Sequence, residues 1–253
     1  MANPMDLSGK HILVTGASSG IGKAIAITIS RLGANVILLA RNEERLKETF
    51  EALEPGNHSY FVFDLKNLDG IENLIETICN SGRKLSGLVH SAGISVTTPL
   101  QYLKLVDLQN IMAVNFYSFI ELVKHFSKRK NNNEGGSIVA ISSISSKAGA
   151  RGLTAYAASK GALESAVRSM ALDLAPRNIR INAVSPGIIA TPIYDGLRTI
   201  VNNNDFENDI KKRQVLGVGS PEDVAYSAAY LLSDASKFIT GTSMVVDGGY
   251  LAH

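Results

Sequence analysis

The chain has 253 residues, a formal net charge of +2 and an ordinary globular composition, with 45% hydrophobic and 19% charged residues. This charge is too small to indicate a nucleic-acid-binding surface, and the single cysteine, Cys79, excludes an internal disulfide or a multi-cysteine metal site. No apolar run approaches the roughly 18 residues of a membrane span, and the start MANPMDLSGK lacks the profile of a secretory signal. We therefore expect a soluble, cytoplasmic protein without a metal site, folded as one domain over residues 1–253.

Short apolar runs alternate with longer helical patterns along the chain. The strand candidates are HILVT (11–15), NVILLA (35–40), YFVFD (60–64), GLVHSA (87–92), SIVAIS (137–142), IRINAVS (179–185) and SMVVD (243–247). Helix patterns lie near 20–32, 42–54, 67–80, 104–129, 155–175 and 221–232. The strands lack polar alternation, which is typical of parallel strands buried on both faces. The pattern predicts an α/β fold, a doubly wound, Rossmann-type parallel sheet of about seven strands flanked by helices.

A glycine-rich turn, VTGASSGIG, follows the first strand and leads into the first helix. Glycines permit a tight turn and a close approach of the backbone to a ligand, and the helix N-terminus offers free N–H groups to a pyrophosphate. Such turns also occur without ligands, but the position after the first strand of a βαβ series favours a dinucleotide site. The residues predicted to contact the dinucleotide here are Gly16, Ser18, Ser19, Gly20, Ile21 and Gly22.

The ends of the second and third strands bear on the choice of cofactor. Ala40 stands where enzymes that use NAD carry an acid for the ribose 2′-hydroxyl. Arg41, without a competing acid, suits the 2′-phosphate of NADP(H), with Asn42 as a further donor; the alternative is that Arg41 only solvates a strand end. Asp64 and Leu65 could receive the adenine amino group, although Asp64 is nearly as well explained as a turn residue.

A tyrosine and a lysine in YAASK are four residues apart and would share one face of a helix. Alone, Tyr156 and Lys160 would most often be a packed ring and a solvated amine. Ser143 ends the fifth strand, and Asn115 lies in a helical apolar pattern, where an amide is costly unless it bonds something. In this order, these four residues resemble the catalytic tetrad of the short-chain dehydrogenase/reductase family. The resemblance covers essentially the whole chain, from VTGASSGIG through YAASK and SPG to VDGG.

The resemblance implies a role for each of these residues. Tyr156 would be the general acid/base at a carbonyl or alcohol oxygen, and Lys160 would lower the pKa of that phenol and bond the nicotinamide ribose. Ser143 would orient the substrate oxygen, and Asn115 would hold a water in a proton relay. One charge about 4 Å away is worth about 4 kcal/mol at an effective dielectric of ~20, which corresponds to about three pKa units.

Two further segments are similar to family loops at the cofactor site. In SPGIIATPI, Pro186 and Gly187 would shape the turn after the sixth strand, and Ile189 and Thr191 would contact the nicotinamide carboxamide.

After the fourth strand the chain reads HSAG where the family usually has Asn-Ala-Gly, so that Ser91 replaces the asparagine. The contact of Ala92 and Gly93 with the adenosine ribose is expected to survive. Because serine makes fewer hydrogen bonds, the bracing of the central sheet is an open question. His90 is interpreted as a structural residue at the strand end.

These features predict an NADP(H)-dependent oxidoreductase for a carbonyl/alcohol pair, and the chain most resembles the 3-oxoacyl-acyl carrier protein reductases of the family. The alternatives are a sugar, polyol or steroid alcohol dehydrogenase, and a non-catalytic dinucleotide-sensing protein, although such proteins typically lack the tyrosine or the lysine. An acidic carrier protein would need exposed cations, for which residues 128–130 and Arg177 are candidates, although charged helix ends usually just face water.

The polar segment 192–216 predicts a lid over the substrate. Apolar residues on more than one face of the 155–175 helix, including Leu163, Val167, Met170 and Leu174, leave apolar area for another subunit. Because family members commonly form homotetramers, a homotetramer is expected.

Overall fold

The structure is a computed structural model that describes residues 3–80, 82–195 and 212–252. Seven parallel strands form one sheet in the order β3-β2-β1-β4-β5-β6-β7. The strands are β1 (His11–Thr15), β2 (Asn35–Ala40), β3 (Ser59–Val62), β4 (Leu85–His90), β5 (Asn132–Ile141), β6 (Ile179–Pro186) and β7 (Ser243–Val246). The α-helices used below are α1 (Gly20–Arg31), α2 (Glu43–Glu51), α3 (Ile71–Cys79), α4 (Leu105–Met112), α5 (Ser118–Phe126), α6 (Thr154–Leu174) and α7 (Pro221–Leu232). The predicted doubly wound sheet is confirmed.

Both faces of the sheet are apolar, which explains why the strands lack alternation. Successive residues of β1 face opposite sides of the sheet. Ile12 and Val14 pack in one core with residues of α1 and α7, whereas Leu13 packs in the other core with Phe119 and Leu163. All of these side chains are buried, as expected for a parallel sheet covered by helices on both faces.

The long helix predicted over 104–129 is present from Leu105 to Phe126, but it contains a π-helical turn that the pattern did not predict. Helix α4 ends at Met112, a π-helical turn spans Ala113–Tyr117, and α5 then continues to Phe126. A π-turn inserts one extra residue into a helix and is frequent at functional sites. Asn115 lies inside this turn and is fully buried.

Other predicted boundaries extend too far. The fourth strand ends at His90, so Ser91 and Ala92 follow the sheet rather than belong to it. The third strand spans 59–62 rather than 60–64. Helix α3 begins at Ile71 rather than near residue 67, because the Asn67 side chain accepts a hydrogen bond from the Gly70 amide and forms a turn ahead of the helix.

The order of the strands reverses beside β1, and this creates a crevice. The chain runs from β1 to β2 and β3 at one edge, then returns to β4 on the other side of β1. In doubly wound sheets, ligands bind outside the carboxyl ends of the strands at this switch point. Thr15 and His90, which end β1 and β4, lie in register there.

Among the described residues there is neither a membrane-spanning helix nor a cluster of metal-binding side chains. Within residues 3–80, 82–195 and 212–252, no helix has the length and apolar character needed to cross a bilayer. The same residues include no group of three His, Cys, Asp or Glu side chains that could hold a metal ion. Most of the predicted lid, from 196 to 211, lies outside the described residues.

Candidate active site

A cavity of about 1210 Å³ opens at the carboxyl ends of the central strands. Every residue predicted to contact the cofactor lines this cavity, from the glycine-rich turn through residues 41–42, 64–65 and 91–93 to the loop after β6. Ser143, Tyr156 and Lys160 also line it. Asn115 does not reach the cavity wall and lies buried behind it.

The glycine-rich turn is packed too tightly for side chains. Gly16 has a φ of +67°, and a Cβ there would lie 2.7 Å from the Ala92 nitrogen. A Cβ on Gly22 would lie 2.3 Å from the Gly16 oxygen. Ser19 caps α1 without a side-chain hydrogen bond, so its hydroxyl is not used by the helix. The turn therefore brings backbone and the N-terminus of α1 to the cavity, as a pyrophosphate requires.

The end of β2 carries two arginines on the cavity wall and no acid. Ala40 is buried, and Arg41 and Arg45 both line the cavity. In the part of the chain that the structure describes, neither guanidinium has a hydrogen bond or an ion pair. Asn42 accepts a hydrogen bond from the Arg45 nitrogen at 2.8 Å and caps α2, which leaves its amide N–H groups available. Arg45 was not predicted, although its place in the first turn of a helix predicted to follow Arg41 could have indicated it.

The end of β3 fits both interpretations of Asp64. Asp64 and Leu65 line the cavity, and Leu65 is buried. One Asp64 carboxylate oxygen accepts a hydrogen bond from the Lys66 nitrogen at 3.0 Å, as in an Asx-turn. The other carboxylate oxygen of Asp64 takes no part in this turn.

A threonine and a histidine brace the turn that contains Ser91. The Thr15 hydroxyl accepts a hydrogen bond from the Ala92 nitrogen at 3.1 Å and lies 3.2 Å from His90 Nδ1. Burial and the charge of Lys160 lower the pKa of His90 to about 3, so this imidazole is neutral. His90 is a buried structural residue, as expected, and the β1–β4 junction is braced without the family asparagine.

Tyr156 and Lys160 lie one turn apart on α6, as the spacing predicts. Lys160 is only 3% exposed, and its Nζ donates to the Ile141 oxygen at 2.7 Å and lies 5.7 Å from the centre of the Tyr156 ring. Burial lowers the pKa of Lys160 to about 8. Burial also raises the pKa of the Tyr156 phenol, and the Ser143 hydroxyl only partly offsets this.

The expectation that Lys160 lowers the phenol pKa is therefore not met. Its ammonium is directed at the Ile141 carbonyl, and the penalty of burying a phenolate outweighs the help that the phenolate receives. The phenol consequently stays protonated well above neutral pH.

Asn115 clamps the loop after β4 against the π-turn. Its Oδ1 accepts from the Ile94 nitrogen at 2.9 Å, and its Nδ2 donates to the Ile94 oxygen and the Ser159 hydroxyl, both at 3.0 Å. A Cβ on Gly93 would lie 3.5 Å from Lys160 Nζ, which is an ordinary contact distance, so this loop passes close to the lysine. Because both amide N–H groups are used, only one lone pair of the side chain remains for a water.

A buried glutamine holds the loop after β6. Gln214 is 1% exposed; its Oε1 accepts from the Ile188 nitrogen at 2.8 Å, and its Nε2 donates to the Ile188 oxygen at 2.9 Å. A Cβ on Gly187 would lie 2.4 Å from Gln214 Oε1. Gln214 was not predicted, and its polar surroundings in sequence gave no signal for a buried role.

The wall of the cavity beside Ser143 and Tyr156 also carries positive charge. Arg151 lies in the loop between them, and Arg213 adjoins the glutamine that holds the loop after β6. The Arg213 guanidinium lies 5.9 Å from the centre of the Tyr250 ring, near the C-terminus. Neither arginine was predicted.

The comparisons with known proteins agree with this geometry. Residues 16–251 match a family model described as Enoyl-(Acyl carrier protein) reductase. The 3-oxoacyl-[acyl-carrier-protein] reductase FabG of Rickettsia prowazekii (strain Madrid E) is 38% identical over 247 residues, covering 98% of this chain and 99% of that protein. The chain belongs to the short-chain dehydrogenase/reductase family. It is therefore an NAD(P)-dependent oxidoreductase.

Solved structures of this family superpose on nearly the whole chain. A protein provisionally described as a short-chain alcohol dehydrogenase from Sinorhizobium meliloti 1021 has a TM-score of 0.93 at 30% identity, with 99% of both chains covered. A protein provisionally described as an NAD(P)-dependent gluconate 5-dehydrogenase from Beutenbergia cavernae, with NADP bound at low occupancy, has a TM-score of 0.89 at 33% identity. That match covers 99% of this chain and 100% of the other.

Proposed function

We propose that this short-chain dehydrogenase/reductase uses NADP(H) to reduce a carbonyl, with 3-oxoacyl thioesters as its preferred substrates. The observation that carries the cofactor assignment is the pair of guanidinium groups, Arg41 and Arg45, beside an alanine at the end of β2. A 2′-phosphate is close to a dianion and needs cations or donors, and arginine binds phosphate in a planar fork. The NADP seen in the Beutenbergia relative supports this choice.

The proposed dinucleotide would extend along the residues that line the cavity. The glycine-rich turn and the N-terminus of α1 would hold the pyrophosphate, Asp64 and Leu65 the adenine, and Ala92 and Gly93 the adenosine ribose. Ser91 adds a hydroxyl to that wall. Lys160 and the 186–191 loop would hold the nicotinamide half. Bound NADPH would supply the hydride.

The remaining chemistry belongs to the side chains. A phenol whose pKa is raised by burial stays protonated, so Tyr156 can donate its proton to a carbonyl oxygen that gains charge. Ser143 can donate a hydrogen bond to the same oxygen and orient it. Lys160, whose Nζ lies 5.7 Å from the centre of the phenol ring, would bond the nicotinamide ribose and so hold the cofactor beside Tyr156. Asn115 would hold a water that connects the lysine to solvent.

The choice of 3-oxoacyl thioesters follows the name of the Rickettsia relative. The surface cations that were candidates for docking a carrier protein support it less strongly than expected. Lys128 and Lys130 are ion-paired with Glu72 and Glu76 of α3, which reduces the charge that they offer to a partner.

The direct test is NADPH oxidation by the wild-type protein across acyl thioesters, ketosugars and small diketones. We expect the largest kcat/KM with a 3-oxoacyl thioester. No turnover of any carbonyl compound, in either direction and with either cofactor, would overturn the proposed function.

A sugar-acid dehydrogenase is the second candidate. The gluconate 5-dehydrogenase described for the Beutenbergia relative favours it, and Arg151 on the cavity wall could pair with a sugar carboxylate. A keto-sugar acid that outperforms every thioester in the same panel would establish this alternative.

A further inference from the structure

A buried carboxylate on α6 lies outside the cavity and has no role in the steps above. Glu164 is one helical turn beyond Lys160, is 7% exposed, and does not line the cavity. Residues 156, 160 and 164 are spaced by four, so all three lie on one face of α6. A carboxylate at this depth is costly unless its partners compensate for lost water.

Every described side chain at hydrogen-bonding distance from Glu164 carries an N–H or O–H group that can donate. Lys147 Nζ donates to both carboxylate oxygens, at 2.9 and 2.7 Å. The hydroxyls of Ser146, Ser185 and Ser243 lie 2.8, 2.5 and 3.0 Å from Oε1. Because a carboxylate only accepts, the ionised form of Glu164 is the one that suits this set of partners.

These donors come from three elements that surround the active site. Ser146 and Lys147 belong to the loop after β5, which begins with Ser143. Ser185 lies in β6, directly before the loop that lines the nicotinamide end, and Ser243 begins β7. The Ser146 hydroxyl also lies 2.7 Å from the Ser143 backbone oxygen, so its single O–H is shared between that oxygen and the Glu164 carboxylate.

We propose that the ionised Glu164 carboxylate, paired with Lys147, is a positioning group that fixes Ser143 against Tyr156 and Lys160. The inference rests on the proposed carbonyl reduction, because it assigns Ser143 its orienting role. Glu164 does not touch substrate or cofactor; it joins the loop of Ser143 to the helix that carries the proton donor.

The Lys147–Glu164 ion pair also explains why Glu164 is ionised. Burial alone would raise the pKa of Glu164, but hydrogen bonds from Lys147 and the neighbouring serines outweigh it and lower the pKa to about 2. Among the described residues, Lys147 is the titratable side chain bonded to this carboxylate, and the groups from the loop after β5, from β6 and from β7 are serine hydroxyls. Lys147 itself is 36% exposed at its side chain, so the residue that pairs with the buried carboxylate can be replaced without opening a large cavity.

The first test is Glu164→Gln, which keeps the shape but places an N–H₂ group among donors. We expect kcat for carbonyl reduction to fall by roughly 10- to 100-fold, as for a small misplacement at a reacting centre. The Kd for NADPH, measured by cofactor fluorescence, should be unchanged, and Glu164→Asp should recover part of the rate. Glu121→Gln is the matched control, since Glu121 is also ion-paired but lies on α5 away from the cavity, and it should keep wild-type kcat.

The second test is Lys147→Met, which also serves if Glu164→Gln does not fold. Without Lys147, burial raises the Glu164 pKa, so the carboxyl becomes protonated as pH falls and loses its hold on the loop. The kcat profile should gain an acidic limb that the wild type lacks. The proposal would be overturned if the pH profiles of kcat for Lys147→Met and the wild type had the same shape. It would also be overturned if Glu164→Gln kept the wild-type kcat, or if its NADPH affinity fell as much as its kcat.

Hydrogen exchange gives a readout that does not depend on turnover. In Glu164→Gln, amides of the 142–148 loop should exchange faster, whereas those of α5 should not change. Wild-type exchange in this loop would contradict the positioning role. If the wild type reduces no carbonyl, the proposed function fails separately, and the exchange data still decide whether Glu164 holds the loop.

Discussion

Tyr156 is the proposed proton donor in carbonyl reduction. Tyr156→Phe removes the proton donor but keeps the ring that packs under Lys160. We expect kcat to fall by roughly 10²- to 10⁴-fold, the usual contribution of general acid catalysis, with NADPH affinity retained. Stopped-flow or steady-state NADPH oxidation measures kcat, and cofactor fluorescence measures NADPH affinity. Substantial turnover by this variant would exclude Tyr156 as the proton donor.

Lys160 sets an upper pH limit for the reaction. Its pKa is lowered by burial to about 8, so the ammonium is present below that pH and is lost above it. Because the expected ribose contact needs the ammonium, kcat/KM for reduction should decline as pH rises through about 8. A profile of kcat/KM between neutral and alkaline pH tests this. A flat profile through that range would show that the charge of Lys160 is not required.

At the scale of elements, the turn between β1 and α1 must be made of glycine. A methyl group on Gly22 would lie 2.3 Å from the Gly16 oxygen, so Gly22→Ala should open the turn and reduce both NADPH affinity and stability. Gly161→Ala is a matched control, because a Cβ there meets no atom within 4 Å. In the middle of α6 that change should stabilise the protein by roughly 0.5–1 kcal/mol. Thermal unfolding and cofactor titration of both variants measure these effects, and equal behaviour of the two would refute the close-packed turn.

The order of elements could be predicted from sequence because apolar runs and glycine signals are local. Helix α7, with Ser220 as its cap and Pro221 at its first position, begins and ends where the pattern predicts. The π-turn could not be predicted in this way, because Asn115 within it is hydrogen-bonded to Ile94, and this contact with a loop that precedes α4 leaves no local pattern in the sequence.

In the candidate site, too, local features could be predicted from the sequence, whereas contacts between distant residues could not. Arg41 follows from its place at a strand end. The bonds of Gln214 to Ile188 and the donors around Glu164 come from elements distant in sequence, so only the folded structure reveals them. The pKa of Tyr156 was predicted in the wrong direction because a pairwise charge estimate omits the cost of burial.

For the whole molecule, a homotetramer stays a prediction. The apolar residues of α6 support it less strongly than the sequence pattern indicates. Leu163, Val167 and Leu174 of α6 are buried in the core of their own chain. The apolar side chains left for a partner include Leu172, which is 78% exposed, and Phe238, which is fully exposed. Sedimentation equilibrium at micromolar concentration should give the mass of four chains. A monomer alone would contradict the prediction, and a cytoplasmic location is a separate expectation that cell fractionation would test.

The central claim is that the cleft of this molecule selects NADP(H) through the cations at the end of β2. The measurement that tests it most directly is kcat/KM for NADPH and NADH in the wild type, Arg41→Ala and the Arg41→Ala/Arg45→Ala double variant. Arg31→Ala is the control, since Arg31 lies at the end of α1 and does not line the cavity. A charged hydrogen bond is worth roughly 1.5–3 kcal/mol, so Arg41→Ala should reduce NADPH use by roughly 10- to 150-fold, and the double variant further. NADH use should be unchanged throughout, because NADH has no phosphate at that position. Equal losses for NADH and NADPH would contradict the claim and leave both arginines as structural residues.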